Sequence, residues 1–556
     1  MAEASATAAH PAQYDNYIAP PSPSSSLSPS DSELEVKPPA QPLAPIIEHK
    51  PPPEPVAHQR RRMFVVLSFW AVVLLLGVPI WWRLTTIERA SLPLDSMLQW
   101  AEGKACNPVF PLQVSVRPGA IPPTEAETLV RLTQSALDNM NDFSGHHLHL
   151  HLESPAAPAS APALTIDLTP GDGIGATLDT KLPILSVTYP PDAVPSHDSH
   201  ESQLAKYIAS ELQATFAEER AVLSYLTGSA AASGVAGDGL TPQLREMLDK
   251  RSTRSLQYAP VYHLAFSLFT SGASPNEWDV DSAIQEYVQP LLEVLKPIHR
   301  FTVDTQVQLF SSPGVHSPVL HKDELSSFIN GAEWSLSPSI GEAPTINFII
   351  YVGNQTVQIG PSELDTSQSW LIPKWGSVYL LPLSDGVTRL SAETLKEPML
   401  TFTGHLLSLL GTPQSGSLSL RLSTLSRVRS ADLVRHASSS LGSLARLSQA
   451  LVAISIPQSV ADGVAKSLHH LEKACASMGT AEALEHARIA EAEAERAFFE
   501  KSMVGQLYFP DEHKVAVYLP LLGPIGTALF MGLMSEIKAW KKRRQERAKT
   551  KEKKSE

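Results

Sequence analysis

The apolar residues of this chain concentrate in two uninterrupted runs near its ends. Residues 63–82 (MFVVLSFWAVVLLLGVPIWW) and 515–534 (VAVYLPLLGPIGTALFMGLM) are each 20 residues long and carry no charge. A helix of that length covers about 30 Å, the thickness of the hydrocarbon core of a bilayer. The pattern predicts two transmembrane helices. The first is expected to be an uncleaved signal anchor, because it follows a 62-residue stretch and no small-residue cleavage site comes after it.

Basic residues stand at the outer end of each run. Arg60, Arg61 and Arg62 precede the first, and five Lys/Arg within residues 538–544 follow the second. Because Lys and Arg are retained on the cytosolic side, both termini are predicted to be cytosolic and the region between the runs luminal. The predicted domains are a disordered Pro/Ser/Ala-rich tail (1–62), a first transmembrane helix (63–82), a luminal domain (83–514), a second transmembrane helix (515–534) and a basic cytosolic tail (535–556).

The last residues resemble a short sorting signal. Lys553 and Lys554 stand fourth and third from the C-terminus, as in a dilysine retrieval signal for the endoplasmic reticulum. In so lysine-rich a tail the same spacing also arises by chance. Together with the topology, the signal predicts a two-pass protein of the endoplasmic reticulum membrane.

Between the two runs, the periodicity changes along the chain. Residues from about 109 to 411 mix strand and helix patterns, which predicts an α/β domain with a mixed sheet covered by helices. Strand patterns occupy 112–116, 148–152, 164–168, 184–189, 301–309 and 346–352, and helix patterns occupy 204–216 and 284–295. No internal repeat stands out. The predicted fold class is thus an α/β luminal domain, a helical segment and two flanking transmembrane helices.

The helical segment extends from about 429 to 507. Its third predicted helix repeats alanine at spacings of four and three, at Ala483, Ala487, Ala490, Ala494 and Ala497. Small residues in a heptad seam let two helices approach closely. The alternative is an exposed alanine-rich helix that is stable through propensity alone.

Charge and cysteine content narrow the function classes. The chain has a net charge of −13, whereas residues 535–556 hold ten Lys/Arg against four Glu. The acidic main body argues against a nucleic-acid partner. Cys106 and Cys475 are the only cysteines, too few for a disulfide framework or a zinc ribbon. They either pair with each other in an oxidising lumen or remain two small buried thiols.

Three local patterns are candidates for catalytic or ligand-binding chemistry. His147, His149 and His151 alternate with leucines, but residues two apart on a strand point in parallel and do not converge on one metal ion. Residues 171–175 (GDGIG) lack the full spacing of a nucleotide loop and predict a turn between strands. The aspartates of residues 278–281 (WDVD) stand where a helix begins, a position that favours carboxylates. The sequence therefore predicts no catalytic, cofactor-binding or metal site in this chain.

One modification site is predicted. Asn354 opens the sequon Asn-Gln-Thr, which follows a strand pattern at Gly353. In a luminal domain, Asn354 is expected to carry an N-linked glycan.

Short motifs along the chain resemble those of the PIG-S family, a subunit of the glycosylphosphatidylinositol (GPI) transamidase. They are residues 79–82 (PIWW), 85–93 (TTIERASLP), 332–335 (AEWS), 372–376 (IPKWG), 409–411 (LLG), 497–499 (AFF), 508–514 (YFPDEHK) and 518–520 (YLP). The resemblance covers residues 63–537 in order and topology. The chain is similar to fungal-type members, and its proline-rich tail lies outside the pattern.

The resemblance implies a non-catalytic scaffold subunit that is required to attach GPI anchors to precursor proteins. It implies no cofactor, and it implies partners: a cysteine-protease-like catalytic subunit and the other membrane and luminal accessory subunits. The alternative is a stand-alone luminal membrane protein that binds a lipid or a glycan. A stoichiometric set of co-purifying membrane proteins would distinguish the first from the second.

Overall fold

The computed structural model describes residues 55–85, 89–140, 145–153, 162–231, 242–331, 334–336, 343–362, 365–384, 386–451, 454–503 and 511–552. Most of the predicted N-terminal tail and the predicted retrieval signal, Lys553 and Lys554, lie outside these residues. The chain divides into two compact units: 1–76 with 528–556, and 77–527.

Helices occur along the whole described chain. They are α1 (Val56–Val72), α2 (Val78–Thr85), α3 (Leu94–Ala101), α4 (Pro123–Met140), α5 (Gln203–Thr215), α6 (Ala217–Ala231), α7 (Pro242–Arg254), α8 (Val280–Ala283), α9 (Gln289–Leu295), α10 (Leu325–Phe328), α11 (Ala392–Leu409), α12 (Leu418–Ala450), α13 (Gln458–Ala476), α14 (Ala481–Phe498) and α15 (Asp511–Glu552). A π-helical turn joins α1 to α2 (Val73–Gly77), and another joins α8 to α9 (Ile284–Val288).

A first five-stranded sheet forms one α/β lobe of the larger unit. Its strands are β1 (Phe110–Arg117), β2 (His146–Leu152), β3 (Leu164–Pro170), β4 (Gly175–Leu178) and β5 (Ile184–Tyr189). They lie in the order β2-β1-β3-β5-β4, and only the edge strand β4 is antiparallel to its neighbour. Inward residues of β1, including Val114, are buried in one cluster with Leu129 of α4 and Ile208 of α5.

A second sheet forms the other lobe. The remaining strands of the chain are β6 (Val261–Thr270), β7 (Glu277–Trp278), β8 (Arg300–Gln308), β9 (Val319–Leu320), β10 (Thr345–Val352), β11 (Thr356–Gln358), β12 (Thr366–Ser367), β13 (Ser369–Ile372), β14 (Gly376–Leu381) and β15 (Arg389–Leu390). The main sheet has the order β13-β14-β10-β6-β8, with β13 antiparallel at its edge. Both faces are covered: Phe266 packs in a cluster with Phe402 of α11, and Phe269 in another with Trp334.

The two sheets have the same topology. The order β2-β1-β3-β5-β4 matches β8-β6-β10-β14-β13 in chain sequence and in strand direction. The α/β class predicted from the sequence is confirmed, but the single predicted sheet is replaced by two. The physical reason lies in helices α5, α6 and α7, which follow β5 and lead the chain away before a new sheet begins at Val261.

The described part of the chain ends in helices, as the periodicity predicts. Helices α12, α13 and α14 pack on one another, and α12 begins at Leu418 and runs for 33 residues. The segments Arg60–Arg83 and Ala516–Lys549 are long and apolar enough to cross a membrane, and no residue of their most apolar stretches is buried. Pro520 and Pro524 lie inside α15, and the helix continues through both.

The smaller unit contains the outer halves of these two apolar helices. Arg62 Nε lies 2.7 Å from Glu536 Oε1, and Arg543 lies 3.6 Å from the other oxygen of the same carboxylate. A Cβ placed on Gly532 would stand 3.9 Å from the side chain of Val66. Gly532 of α15 and the ion pair between Arg62 and Glu536 together hold these halves in contact.

Candidate functional site: a helical base that joins the two lobes

Helices α12, α13 and α14, here called the helical base, pack around the alanine seam. All five alanines of the seam are buried. A Cβ on Gly463 of α13 would lie 3.4 Å from the Cβ of Ala497, and Ser467 Oγ donates to the carbonyl of Ala490 at 2.7 Å. Such short approaches require small side chains at the contact. The seam is therefore an internal contact of this chain, and the alternative of an exposed alanine-rich helix is wrong.

A buried ion pair fastens the first lobe to the base. Arg427 of α12 donates two hydrogen bonds to Glu219 of α6, at 2.5 and 2.7 Å, and Thr424 donates a third at 2.7 Å. His146, the first residue of β2, lies 3.7 Å from the same carboxylate. Burial opposes ionisation of Glu219, but the charge of Arg427 outweighs it and lowers the pKa of Glu219. The carboxylate is thus ionised and fully bonded inside the protein.

Another arginine of α12 fastens the second lobe. Arg429 donates to the backbone carbonyls of Leu256 and Leu410 at 3.2 and 3.1 Å. Leu256 N in turn donates to the carbonyl of Leu409. One buried cation therefore closes the end of α11 against the segment that leads into β6. Arginine suits this role because its planar fork presents several donors at once.

The segment that follows the first apolar helix is also clasped to the base. The guanidinium of Arg89 donates to the carbonyls of Ser448, Ile454 and Leu451 at 2.7, 3.1 and 3.3 Å. Ala90 N donates to the carbonyl of Ile456 at 2.7 Å. These contacts satisfy carbonyl groups near the end of α12, where helical partners run out. The chain therefore contacts the helical base at Arg89, four residues after α2 ends. The last helix of the base, α14, precedes α15 in the chain.

The two cysteines meet at the same base. The sulfur atoms of Cys106 and Cys475 are bonded in the structure, with the Cα atoms 6.1 Å apart. Cys106 follows α3, which packs on α12, and Cys475 lies in the last turn of α13. The bond would close a loop of 369 residues. The pairing of these cysteines in the isolated protein stays a prediction.

Helix α14 carries an unusual carboxyl group. Burial raises the pKa of Glu491 to about 7, and the nearby charges of Glu495 and Asp432 add to the effect. Asp432 of α12 also forms ion pairs with Arg429 at 3.6 Å and Arg435 at 3.2 Å. The charge state of Glu491 is therefore coupled to the arginine that holds the second lobe.

The histidines of β2 are spread along an edge strand and do not converge. His149 and His151 are exposed, and the rings of His147 and His149 stack with their centroids 6.0 Å apart. His146 points instead toward the buried Glu219. Among the described residues, no group of three or more His, Cys, Asp or Glu is placed to hold a metal ion. The geometry of this strand is that of a sheet edge.

The glycine-rich and acidic patterns occupy local structural positions. Residues 171–174 form the turn between β3 and β4, as predicted. Asp279 is the N-cap of α8 and accepts a hydrogen bond from Ser282 at 2.7 Å. Asp279 and Asp281 therefore stand at the start of α8, the end of a helix that favours carboxylates.

One serine–histidine pair resembles a catalytic contact in distance only. Ser377 Oγ lies 2.6 Å from Nδ1 of His405. Ser377 is fully buried in β14, and burial lowers the pKa of His405. A nucleophile has to reach its substrate, and this hydroxyl is enclosed by the core.

Asn354 lies in the turn between β10 and β11 and is exposed. A glycan at Asn354 would project from the side of the second sheet at which β10 ends. The position is compatible with the predicted modification, which stays a prediction.

Comparison with known proteins adds the decisive observation. The family model of PIG-S, described as phosphatidylinositol-glycan biosynthesis class S protein, matches residues 68–543. The chain belongs to the PIG-S family. It is 27% identical to the GPI transamidase component PIG-S homolog of Schizosaccharomyces pombe, over 86% of this chain and 84% of that one. It is 25% identical to the GPI transamidase component GPI17 of Saccharomyces cerevisiae, over 86% and 92%. It is 24% identical to the GPI-anchor transamidase component PIGS of Homo sapiens, over 86% and 96%.

Two PIG-S-like motifs have evident structural roles. Gly411 of the 409–411 motif follows α11 with a φ of 80°, and a side chain there would meet Ser255 and Arg251. Gly376 of the 372–376 motif would place a Cβ 1.9 Å from the carbonyl oxygen of Asn347. Glycine suits position 411 because of its positive φ, and only glycine fits the close backbone approach at position 376. Both motifs therefore shape the second lobe.

The residues that fasten the lobes of this PIG-S chain were missed in the sequence. Arg427 and its partner Glu219 lie 208 residues apart, and Arg429 bonds to backbone groups. Residues 427–429 (RVR) did offer one signal, since two arginines stand among buried apolar positions of a helix. Buried cations of this kind require partners.

Proposed function

We propose that this chain is the PIG-S component of a GPI transamidase and takes part in attaching GPI anchors to proteins. The observation that carries the proposal is the extent of the similarity. Relatives named as GPI transamidase components match 86% of this chain and 84–96% of their own length. The family match, residues 68–543, includes most of the first apolar helix, the second apolar run and the whole region between them, which supports the same role for this chain.

The role within the complex is that of an accessory scaffold. The buried polar clusters at the helical base have their partners inside the protein, as in the Glu219–Arg427 pair, and support the fold. A bond between Cys106 and Cys475 would leave neither thiol free to act as a nucleophile. The cysteine nucleophile that the resemblance implies would then belong to a separate subunit, which is the main partner we propose together with further membrane and luminal subunits.

The location is the membrane of the endoplasmic reticulum. Two membrane helices, basic residues outside each of them and an exposed sequon at Asn354 support cytosolic termini and a luminal domain. Protease added to sealed microsomes should remove tags at both termini and spare the region between the helices. Asn354→Gln should abolish the shift in mobility that deglycosylation gives. Protection of either tag would overturn the topology.

Affinity purification of the full chain from detergent tests the function. A subunit should recover a stoichiometric set of membrane proteins, and depletion of the chain should cause precursors with uncleaved C-terminal signals to accumulate. Recovery of the chain alone, with normal precursor processing after its loss, would contradict the proposal. That result would favour a stand-alone membrane protein that binds a lipid or a glycan.

A further inference from the structure

An exposed aromatic ring stands on an unfavourable backbone at the carboxyl end of the second sheet. Phe310 has a φ of 54°, and its side chain is 70% exposed. A bulky side chain rarely adopts this left-handed conformation, because its Cβ crowds the backbone. Solvent exposure of a phenylalanine is also unfavourable. Neither the left-handed backbone nor the exposed ring stabilises the isolated chain, so the rest of the fold must hold Phe310 in this conformation.

The backbone on both sides of Phe310 is held by the strand ends. Phe310 N donates to the carbonyl of Gly272 at 3.2 Å, and Ser311 N donates to the carbonyl of Thr270 at 2.8 Å. Ser311 is buried directly beside the exposed ring. These bonds join the chain that leaves β8 to the chain that leaves β6. They fix the backbone on both sides of Phe310, while most of its ring remains exposed.

Trp334 and Ser335, the described half of the 332–335 motif, hold the same segment from outside. Trp334 is stacked against Phe269 and Tyr351, with ring centroids 4.6 and 5.8 Å away. Its Nε1 donates to the carbonyl of Ser312 at 2.9 Å. Trp334 therefore anchors the chain two residues after Phe310 to the buried core.

Ser335 completes the clamp on the other side of Phe310. Its backbone N–H donates to Oε1 of Gln308 in β8 at 2.9 Å, and its carbonyl accepts a hydrogen bond from Gln306 at 3.1 Å. The motif thus grips residues 306–308 and residue 312, which bracket the exposed ring. A rigid aromatic group of this kind is the usual anchor of a protein interface, because little conformational freedom remains to be lost on binding.

We propose that Phe310 is a binding anchor that inserts into an apolar pocket of another protein subunit. The surrounding sequence supports a protein partner over a lipid surface. Residues 309–318 (LFSSPGVHSP) carry no Lys or Arg, whereas an anionic membrane surface attracts basic clusters. The inference rests on the proposed role as a complex subunit and names the surface through which that role is exercised.

The substitution Phe310→Asn separates an anchor from a structural side chain. Asparagine tolerates the left-handed region and presents no apolar ring. The full-length variant in detergent should unfold at a higher temperature than the wild type, because the backbone strain is relieved. The concentration of the variant that gives half-maximal rebinding to membranes depleted of the wild-type chain should rise at least tenfold. An anchor predicts these opposite signs, whereas a ring needed for packing would lose stability and binding together.

Two matched variants serve as controls. Lys374 has a φ of 59°, so Lys374→Asn should raise the unfolding temperature and leave rebinding unchanged. Ile359 is also 70% exposed, and Ile359→Asn should leave rebinding unchanged. Rebinding of Phe310→Asn at the wild-type level, or a lower unfolding temperature, would overturn the inference. If the wild-type chain itself recovers no partner subunits, the proposed function fails instead.

Discussion

The two α/β lobes share one topology but differ at the carboxyl ends of their strands. In the first lobe the chain turns sharply after β1: Gly119, with a φ of 58°, sits so close to β3 that a Cβ would lie 2.4 Å from the carbonyl oxygen of Leu168. In the second lobe the connections after β8 and β10 carry β9, α10, β11 and β12. The exposed Phe310 and Asn354 both lie in these additions.

The two lobes also differ at their corresponding edge strands, β2 and β8. Gln134 of α4 accepts from Leu150 N at 2.9 Å and donates to the carbonyl of Leu148 at 3.0 Å, so it occupies backbone groups of the edge strand β2. An edge capped in this way is protected against pairing with another strand. The corresponding strand β8 instead positions Ser335 and, through it, the segment around Phe310. The edge of the first lobe is thus occupied by its own helix α4, whereas the edge of the second lobe holds the segment that carries the proposed anchor Phe310.

The ionic attachment of the first lobe gives the largest expected effect. Arg427→Ala leaves Glu219 buried without its charge partner, which typically costs about 3–5 kcal/mol. Hydrogen exchange should accelerate in β3 and β5 before it does in β6 and β10. The double variant Arg427→Met with Glu219→Met should recover most of the loss, because an apolar pair can replace a buried ion pair. Equal loosening of both lobes would remove the distinction between their attachments.

The cysteine pair should stabilise the base that both lobes share. If Cys106 and Cys475 are bonded, Cys475→Ser should lower the free energy of unfolding by about 2–4 kcal/mol. The wild-type chain should also migrate differently on gels with and without reductant, and the variant should not. Cys106→Ser should reproduce the loss, and the double variant should add little to it. An unchanged mobility of the wild type would show that the thiols are unpaired.

The sequence predicts the elements of this protein better than their arrangement. Half-buried strands such as β8 show a period of two, whereas β6 and β14 are buried on both faces and give only apolar runs that the same search misses. The alanine seam was visible because its spacing is local. The Glu219–Arg427 pair and the shared topology of the sheets were not, since both depend on residues far apart in the chain.

The alanine seam offers a test of the base that should affect both lobes alike. Ala490→Leu or Ala494→Leu inserts bulk into a close helix contact, and overpacking of this kind costs about 1–3 kcal/mol. Because the seam is internal, the variant chain should lose thermal stability even before partners are considered. Ala492 is exposed on the same helix, so Ala492→Leu serves as the control and should be neutral. A loss of assembly without any loss of stability would instead place the seam at a subunit interface.

The smallest expected effect concerns pH and the attachment of the second lobe. The pKa of Glu491 is about 7 in the folded chain, above its ordinary value near 4.5, so the folded state favours the protonated form. Its contribution to stability is therefore greatest at low pH and is lost as the pH rises through about 7. Between pH 6 and pH 8 the unfolding temperature of the wild type should fall more than that of Glu491→Gln.

Because Asp432 lies near Glu491 and pairs with Arg429, the added charge on Glu491 should loosen β6 and α11 more than β1 and β3. Glu495→Gln, which removes the adjacent negative charge, should reduce the slope without abolishing it. Identical slopes in the wild type and Glu491→Gln would show that this carboxyl group has no part in holding the lobe.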